Sequence, residues 1–222
     1  MGTLTRTDRP LTDAERSQLA VRVAQARRES AMALVKTGGA SAIVCGPLAL
    51  ATLWASDAPA VVIAAFWSAL WLVFTIWIGL PWRRLMRGQI PVLEDGIRTN
   101  RARATRLQSS RVVEFEEEED EGACYAFELD DKTSVFIVGQ EFYDDEDFPN
   151  SDFEMVDILG EGGRTVDGLL EKHGTKLHPE RVVPARVKAT HEPPDHLEVV
   201  AVPLEHVESA LTPSPRHRHS AR

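Results

Sequence analysis

The densest set of side chains that could do chemistry is a run of carboxylates in the second half of the chain. Hard cations such as calcium bind several carboxylate oxygens that converge from one loop. The four candidate ligands here are Asp144, Asp145, Asp147 and Asp152. The EF-hand pattern is absent, because no glycine stands where that loop must turn and no glutamate closes a twelve-residue frame. We therefore favour a solvated acidic loop over a calcium site.

The other motifs that could bind a cofactor or catalyse a reaction are incomplete. Segment 191–196 offers two histidines and two acids, but its spacing matches no zinc motif. The glycine-rich segment 160–165 lacks the Gly-Lys-Ser/Thr ending of a phosphate loop. Cys124 lies in a predicted strand, where a cysteine usually acts as a small buried apolar residue. Cys45 lies far from it along the chain, in an apolar stretch. No cofactor is predicted, and the residues favour a protein that is not an enzyme.

The charge of the chain is distributed unevenly, although the net charge of the 222 residues is only −9. Residues 37–82 contain a single charged side chain, Asp57. Residues 83–111 hold eight arginines against two acids, whereas residues 112–208 hold seven basic and 27 acidic side chains. A 46-residue stretch with one charge excludes an ordinary soluble domain.

The uncharged stretch divides into two segments that are long enough to cross a membrane. Residues 37–56 and 59–80 contain 20 and 22 residues without a charge. As helices they would reach about 30 and 33 Å, which matches a hydrocarbon core of about 30 Å. A small acidic domain could not bury two such helices on every side, so paired core helices are disfavoured. The sequence predicts a transmembrane hairpin over 37–82.

The basic residues flanking the hairpin predict its orientation. Lysines and arginines precede the first span and follow the second, and the connecting loop contains neither. The positive-inside rule then places both termini in the cytosol, in a multi-pass protein of the cytoplasmic membrane. The three arginines expected to contact lipid headgroups are Arg83, Arg84 and Arg87.

Small residues at steps of four predict how the two spans pack. Such spacing lets helix backbones approach closely within lipid. The predicted packing residues are Gly38, Ala42 and Gly46 on the first span, and Ala60, Ala64 and Ser68 on the second. This pattern favours packing within the hairpin and leaves a homo-oligomer open. Neither span contains an ionisable side chain, which argues against a transporter acting alone.

The segments on either side of the hairpin have different predicted roles. Residues 1–36 are predicted to form a cytosolic helix that begins at a capping box, Thr12 to Glu15. Residues 83–111 form a basic juxtamembrane segment, expected to contact lipid and to pair with the acids of the following domain. Nucleic acid is disfavoured as a partner, because no aromatic residue interrupts the basic segment and the neighbouring acidic domain would repel a polyanion.

Residues 112–211 are predicted to form an acidic β-rich cytosolic domain. Apolar residues alternate with polar or small ones in several short runs, and residues 130–133 have the composition of a turn between two strands. About five short strands indicate a small sheet or a partly open barrel. Residues 212–222 are predicted to be a disordered tail. The fold class is therefore an α+β membrane protein.

The function expected from these features is that of an interaction or regulatory module held at a membrane by the hairpin. Its partners would be membrane lipid and a protein. Two alternatives stay open: a membrane-tethered metal-dependent enzyme that uses the acidic loop, and a membrane oligomer driven by the small residues.

Overall fold

The described residues of the computed structural model fall into two compact units. The helical unit comprises Pro10–Ala102 and Ile158–Asp167, and the β-rich unit comprises the remainder. The residues that the structure describes are 2–117, 122–142, 145–188 and 191–213. Two long apolar helices are followed by a β-rich domain with two sheets, which confirms the predicted order of these elements.

Helix α1 runs unbroken over Asp13–Ala55, 43 residues, or about 64 Å at 1.5 Å per residue. The predicted capping box starts it: the Glu15 N–H donates to Thr12 Oγ1 at 3.2 Å, and the Thr12 N–H donates to Glu15 Oε2 at 2.7 Å. The predicted N-terminal helix and the first predicted span are therefore one element. Nothing between them forces a break, since Gly38 and Gly39 weaken a helix without ending it.

Helix α2 covers Ala60–Thr99 and continues 19 residues beyond the predicted span end, through Pro81 and Pro91. It ends at Asn100, whose φ of 52° lies in the left-handed region that Asn tolerates. The Asn100 N–H donates to the Gly96 carbonyl at 3.1 Å, which satisfies one of the last carbonyls of the helix. Part of the predicted basic juxtamembrane segment is thus helical.

The first sheet has the strand order β1-β2-β6-β7. Its strands are β1 Thr3–Arg9, β2 Arg101–Gln108, β6 Asp152–Leu159 and β7 Thr165–Lys172. Strands β1 and β2 were not predicted. In β2 the buried Ala102, Ala104 and Leu107 are interleaved with arginines, and this near-alternation is typical of a strand. The strand was missed because the many arginines made the segment look like a charged run.

The second sheet has the strand order β10-β5-β4-β3-β8. Its strands are β3 Val112–Phe115, β4 Ala123–Asp130, β5 Thr133–Gly139, β8 Val182–Val183 and β10 Val199–Val200. Antiparallel pairing of β4 with β5 confirms the predicted hairpin, with Phe127 opposite Val135. A separate pair joins β9 His191–Glu192 to β11 Thr212–Pro213, and a single turn of helix, α3, spans Ala185–Lys188.

The second sheet is buried on both faces. Successive side chains of a strand point to opposite faces. Tyr125 and Phe127 of β4 therefore join one apolar cluster, together with Phe153. Cys124 and Ala126 join another, which includes Phe136, Leu204 and Val207 on the other face. Burial on two sides explains why β4 and β5 are rich in β-branched and aromatic residues.

Candidate functional site

The outer surface of the helical unit is apolar and exposed over the predicted spans. The exposed fractions of Ile43, Trp54 and Trp77 are 77%, 95% and 69%. In the most apolar window of each helix, only 11% of the residues are buried. The core helix of a soluble protein is mostly buried, so these two helices do not have the surface of core helices. Their length and composition would allow each to cross a membrane.

The two helices contact each other through a narrow face. The Trp71 indole Nε1 donates to the Gly38 carbonyl at 2.8 Å. Gly79 is buried against the first helix, and a Cβ added there would lie 2.6 Å from Thr37 Oγ1 and 2.7 Å from Leu34 Cδ2. At Gly79 the helices therefore leave no room for a larger side chain.

The structure places most of the predicted packing residues outside this face. Gly38 is buried against α2, with Thr75 Cγ2 at 3.4 Å from an added Cβ. The other five predicted residues, Ala42, Gly46, Ala60, Ala64 and Ser68, are exposed. Four residues advance a helix by about 400°, so a strict four-residue stripe turns about 40° per step away from its starting face. The contact face on α1 instead continues from Gly38 through Ser41 to Cys45.

The three arginines predicted to contact lipid headgroups lie on α2 beyond the second predicted span. Arg84 and Arg87 are exposed, whereas Arg83 is half-buried. Arg83 Nε is buried and has no hydrogen-bond partner within the described part of the chain. These positions leave two of the three guanidinium groups accessible to an anion.

An ion pair between the two helices and another within α1 lie near the charged ends of the helices. Arg27 Nη2 pairs with Glu94 across the two helices. On α1, Lys36 Nζ lies 2.6 Å from Glu29 Oε2. Since Arg27 of the first helix meets Glu94 of the second, the basic flanks of both predicted spans lie at the same end of the helix pair.

Asp95 holds the glycine-rich turn against the end of α2. Its carboxylate accepts from Arg98 Nη2 at 2.6 Å and from the Glu161 N–H at 2.8 Å. The hydrogen bond from Arg98, followed by that from the Glu161 backbone, holds the pKa of Asp95 below its usual range. In the turn itself, Gly162 and Gly163 have φ values of 74° and 78°, which favour glycine. The turn therefore explains Gly162 and Gly163, and close contact with Asp95 explains Gly160, where an added Cβ would lie 2.5 Å from Asp95 Oδ2.

The carboxylates of the candidate calcium loop make ion pairs with strand residues. Asp145 Oδ1 accepts from Lys172 Nζ at 2.5 Å, and Asp147 Oδ2 lies 3.6 Å from the same nitrogen. Asp144 lies outside the described residues. Among those that are described, no group of three or more His, Cys, Asp or Glu side chains is placed to hold a metal ion.

Asp152 has its own set of donors on strand β2. Arg106 donates to it through Nε at 2.8 Å and Nη2 at 2.6 Å, and Gln108 Nε2 donates at 2.8 Å. The Arg106 hydrogen bonds are the main reason that the pKa of Asp152 is lowered to about 2. The donors on Asp145 and Asp152 give these acids structural roles as ion-pair partners within the β-rich unit.

Arg111 joins three parts of the β-rich unit. Its guanidinium lies 2.5 Å from Glu128 Oε1, 2.6 Å from Glu180 Oε1 and 2.8 Å from Glu205 Oε1. Hydrogen bonds to Glu180 and Glu205 raise the pKa of Arg111 above its usual range. Together with the Arg106–Asp152 pair, this cluster confirms that arginines of the basic segment pair with acids of the following domain.

The histidines of segment 191–196 lie in different local surroundings. His191 lies in strand β9, whereas His196 Nδ1 accepts from the Val138 N–H at 3.2 Å. The His196 ring stacks on Phe142 with a centroid distance of 6.1 Å. His196 and Phe142 also line a cavity of about 360 Å³, with Met155 and Leu170 among its other walls. His196 is thus engaged in packing and in a backbone hydrogen bond.

No family model, curated protein or solved structure matches the chain. The features of the chain that bear on its function are the apolar surface of the helices, the charge distribution and the cavities.

Proposed function

We propose that this chain is an integral membrane protein that presents an acidic β-rich domain as an interaction or regulatory module. The observation that carries the proposal is the exposed apolar surface of α1 and α2, where only 11% of the most apolar window is buried. In water such a surface would be costly, at roughly 25 cal/mol per Å² of apolar area. In a bilayer the same surface has an apolar solvent.

The proposed topology is a hairpin with spans 37–56 and 59–80 and with both termini in the cytosol. The basic flanks support this orientation, since the loop between the spans has no lysine or arginine. The Arg27–Glu94 pair supports the hairpin itself, because it brings the flanks of both spans to one end of the helix pair. Each helix extends beyond the length that a bilayer needs, so the helix pair would project into the cytosol.

The proposed partner is a protein with a basic surface. Residues 112–208 carry 27 acidic and seven basic side chains, and charge complementarity of this kind steers association. Anionic lipid would repel this surface and attract the arginines beside the membrane. The domain would then be free to bind a protein rather than the bilayer.

Reporter fusions to the full chain test the topology. Fluorescent proteins fused at either terminus should fluoresce, and alkaline phosphatase fused after Arg222 should be inactive, because the phosphatase needs export to fold. Phosphatase inserted at Asp57 should be active. The same insertion with Arg83, Arg84 and Arg87 all changed to Gln should lose part of its activity, since the orientation depends on these charges. An active fusion after Arg222 would contradict the proposed topology.

A further inference from the structure

Two adjoining grooves run along one side of the helical unit. The apolar groove has a volume of about 910 Å³, and its walls include Ala40, Trp77, Pro81 and Trp82. The polar groove has a volume of about 750 Å³, and its walls include Arg84. Glu29 and Leu85 line both grooves. The two cavities therefore meet at these two residues. Together they form one amphipathic surface groove along the helix pair, here called the joint groove.

The junction of the grooves coincides with the ends of the predicted spans. Ala40 and Trp77 lie inside the spans, whereas Arg84 lies four residues beyond the end of the second. Trp82 lies between these parts, and indole rings favour the headgroup layer of a membrane. In the proposed topology, the apolar groove faces the acyl chains of the inner leaflet and the polar groove faces its headgroups.

Arg84 is the cation in the grooves that is available to an anion. Lys36 and Arg22, which also line them, are paired with Glu29 and Asp167 respectively. Arg84 is exposed, and no carboxylate partner is found for it within the described residues. A guanidinium group can donate two parallel hydrogen bonds to a phosphate. Phosphate is therefore an anion that this position suits, and it is the anionic group that every glycerophospholipid carries.

We propose that the joint groove binds one glycerophospholipid of the inner leaflet, with an acyl chain in the apolar groove and its phosphodiester at Arg84. The proposal rests on the proposed membrane topology. Charge complementarity at Arg84 and the apolar walls at Trp77, Pro81 and Trp82 distinguish this occupant from an extended peptide, whose backbone would lack hydrogen-bond partners along the apolar groove. The volumes are in the range of ligand cavities.

Native mass spectrometry of the full chain tests the site. The chain is purified in mild detergent with an equimolar mixture of phosphatidylglycerol and phosphatidylethanolamine. We expect one phospholipid to be retained by the parent. Arg84→Gln should lower the retained fraction about fivefold, because it removes one lipid-attracting charge. Ala40→Trp should also lower retention, because the indole would fill the apolar groove.

Matched variants separate the site from general lipid contact. Arg87→Gln removes an exposed arginine of the same helix, and Ala42→Trp enlarges an exposed alanine of the same span, but neither residue lines a groove. Both should retain lipid as the parent does. The proposal would be overturned if all five proteins retained lipid equally, or if the parent retained no stoichiometric lipid. It would also be overturned if the controls lost lipid to the same extent as the groove variants.

A separate measurement distinguishes failure of this site from failure of the proposed function. Alkaline extraction of membranes removes peripheral proteins and leaves spanning ones. A chain that resists extraction but shows no groove-dependent lipid overturns the lipid site alone. A chain that alkaline extraction releases overturns the membrane topology, and the lipid site with it.

Discussion

Individual acidic residues of the β-rich unit are held by cations from other strands. Asp152 of β6 is bound by Arg106 of β2, and Asp145 is bound by Lys172 of β7. In the sequence these acids resemble metal ligands. A run of carboxylates has the same sequence pattern whether its oxygens bind a metal ion or the side chain of a lysine or arginine. Their role here is to connect segments that lie far apart in the chain.

The Asp152–Arg106 pair predicts a pH dependence of stability. The pKa of Asp152 in the folded chain is about 2, below its ordinary value, so the unfolded chain binds the proton more tightly. The stabilisation is therefore complete above the ordinary pKa and is lost as the pH falls from about 4 to about 2. Asp152→Asn should lower the free energy of unfolding at neutral pH by about 1 kcal/mol, since both partners are partly exposed.

Chemical denaturation of the chain in detergent at several pH values measures this effect. The difference between the parent and Asp152→Asn should shrink toward acid pH. Asp131→Asn is the matched control, because Asp131 is exposed in the β4–β5 turn. A difference that does not change between neutral pH and the most acid point would show that the ion pair does not stabilise the fold.

At the scale of the elements, the helix pair depends on a contact face that follows steps of three and four. Gly79 lies on that face, and Gly46 lies off it, with nothing within 4 Å of an added Cβ. Both glycines are in helices, so replacing either one changes helix propensity in the same direction. The two positions therefore isolate the effect of packing.

Gly79→Val should destabilise the helix pair by about 1–3 kcal/mol, because its branched side chain would collide with Thr37 and Leu34. Gly46→Val should have little effect or a small stabilising one. Thermal unfolding of the helical signal by circular dichroism in detergent measures both. Equal midpoints for the two variants would contradict the observed contact face, and a lower midpoint for Gly46→Val would favour the stripe predicted from the sequence.

At the scale of the whole molecule, the charge of the chain is divided between a basic segment, 83–111, and an acidic stretch, 112–208. Part of the acidic charge is already compensated, for example by Arg111, which binds three glutamates. Exposed acids such as Asp131 and Glu146 make no ion pair among the described residues. In the proposed function, these acids would contact the basic partner protein.

The Asp131→Lys, Glu146→Lys double variant should lose a partner that co-purifies with the parent in mild detergent. Retention by the parent should also fall as salt rises, because exposed charges are screened beyond about 10 Å at 0.1 M salt. Lys132→Glu is the control, since it alters the neighbouring residue in the opposite sense and should keep the partner. Retention that depends neither on salt nor on these acids would contradict an electrostatic docking surface.

The sequence alone determined the properties that depend on neighbouring residues. The absence of charge over 37–82 predicted two long apolar helices, and alternation over 125–138 predicted the β4–β5 hairpin, because hydropathy and side-chain period are local. The capping box at Thr12 was likewise readable, since it needs only residues three positions apart.

The tertiary structure alone decided which faces and partners meet. The packing face of α1 passes through Ser41 and Cys45 rather than Ala42 and Gly46. One helical turn takes 3.6 residues, so residues at steps of three or four share a face, and the opposing helix decides which face is buried. Strand β1 joins the first sheet through a neighbour, β2, that begins 92 residues after it ends, so no local pattern could reveal the pairing. The donors to Asp145 and Asp152 and the adjoining grooves are long-range contacts of the same kind.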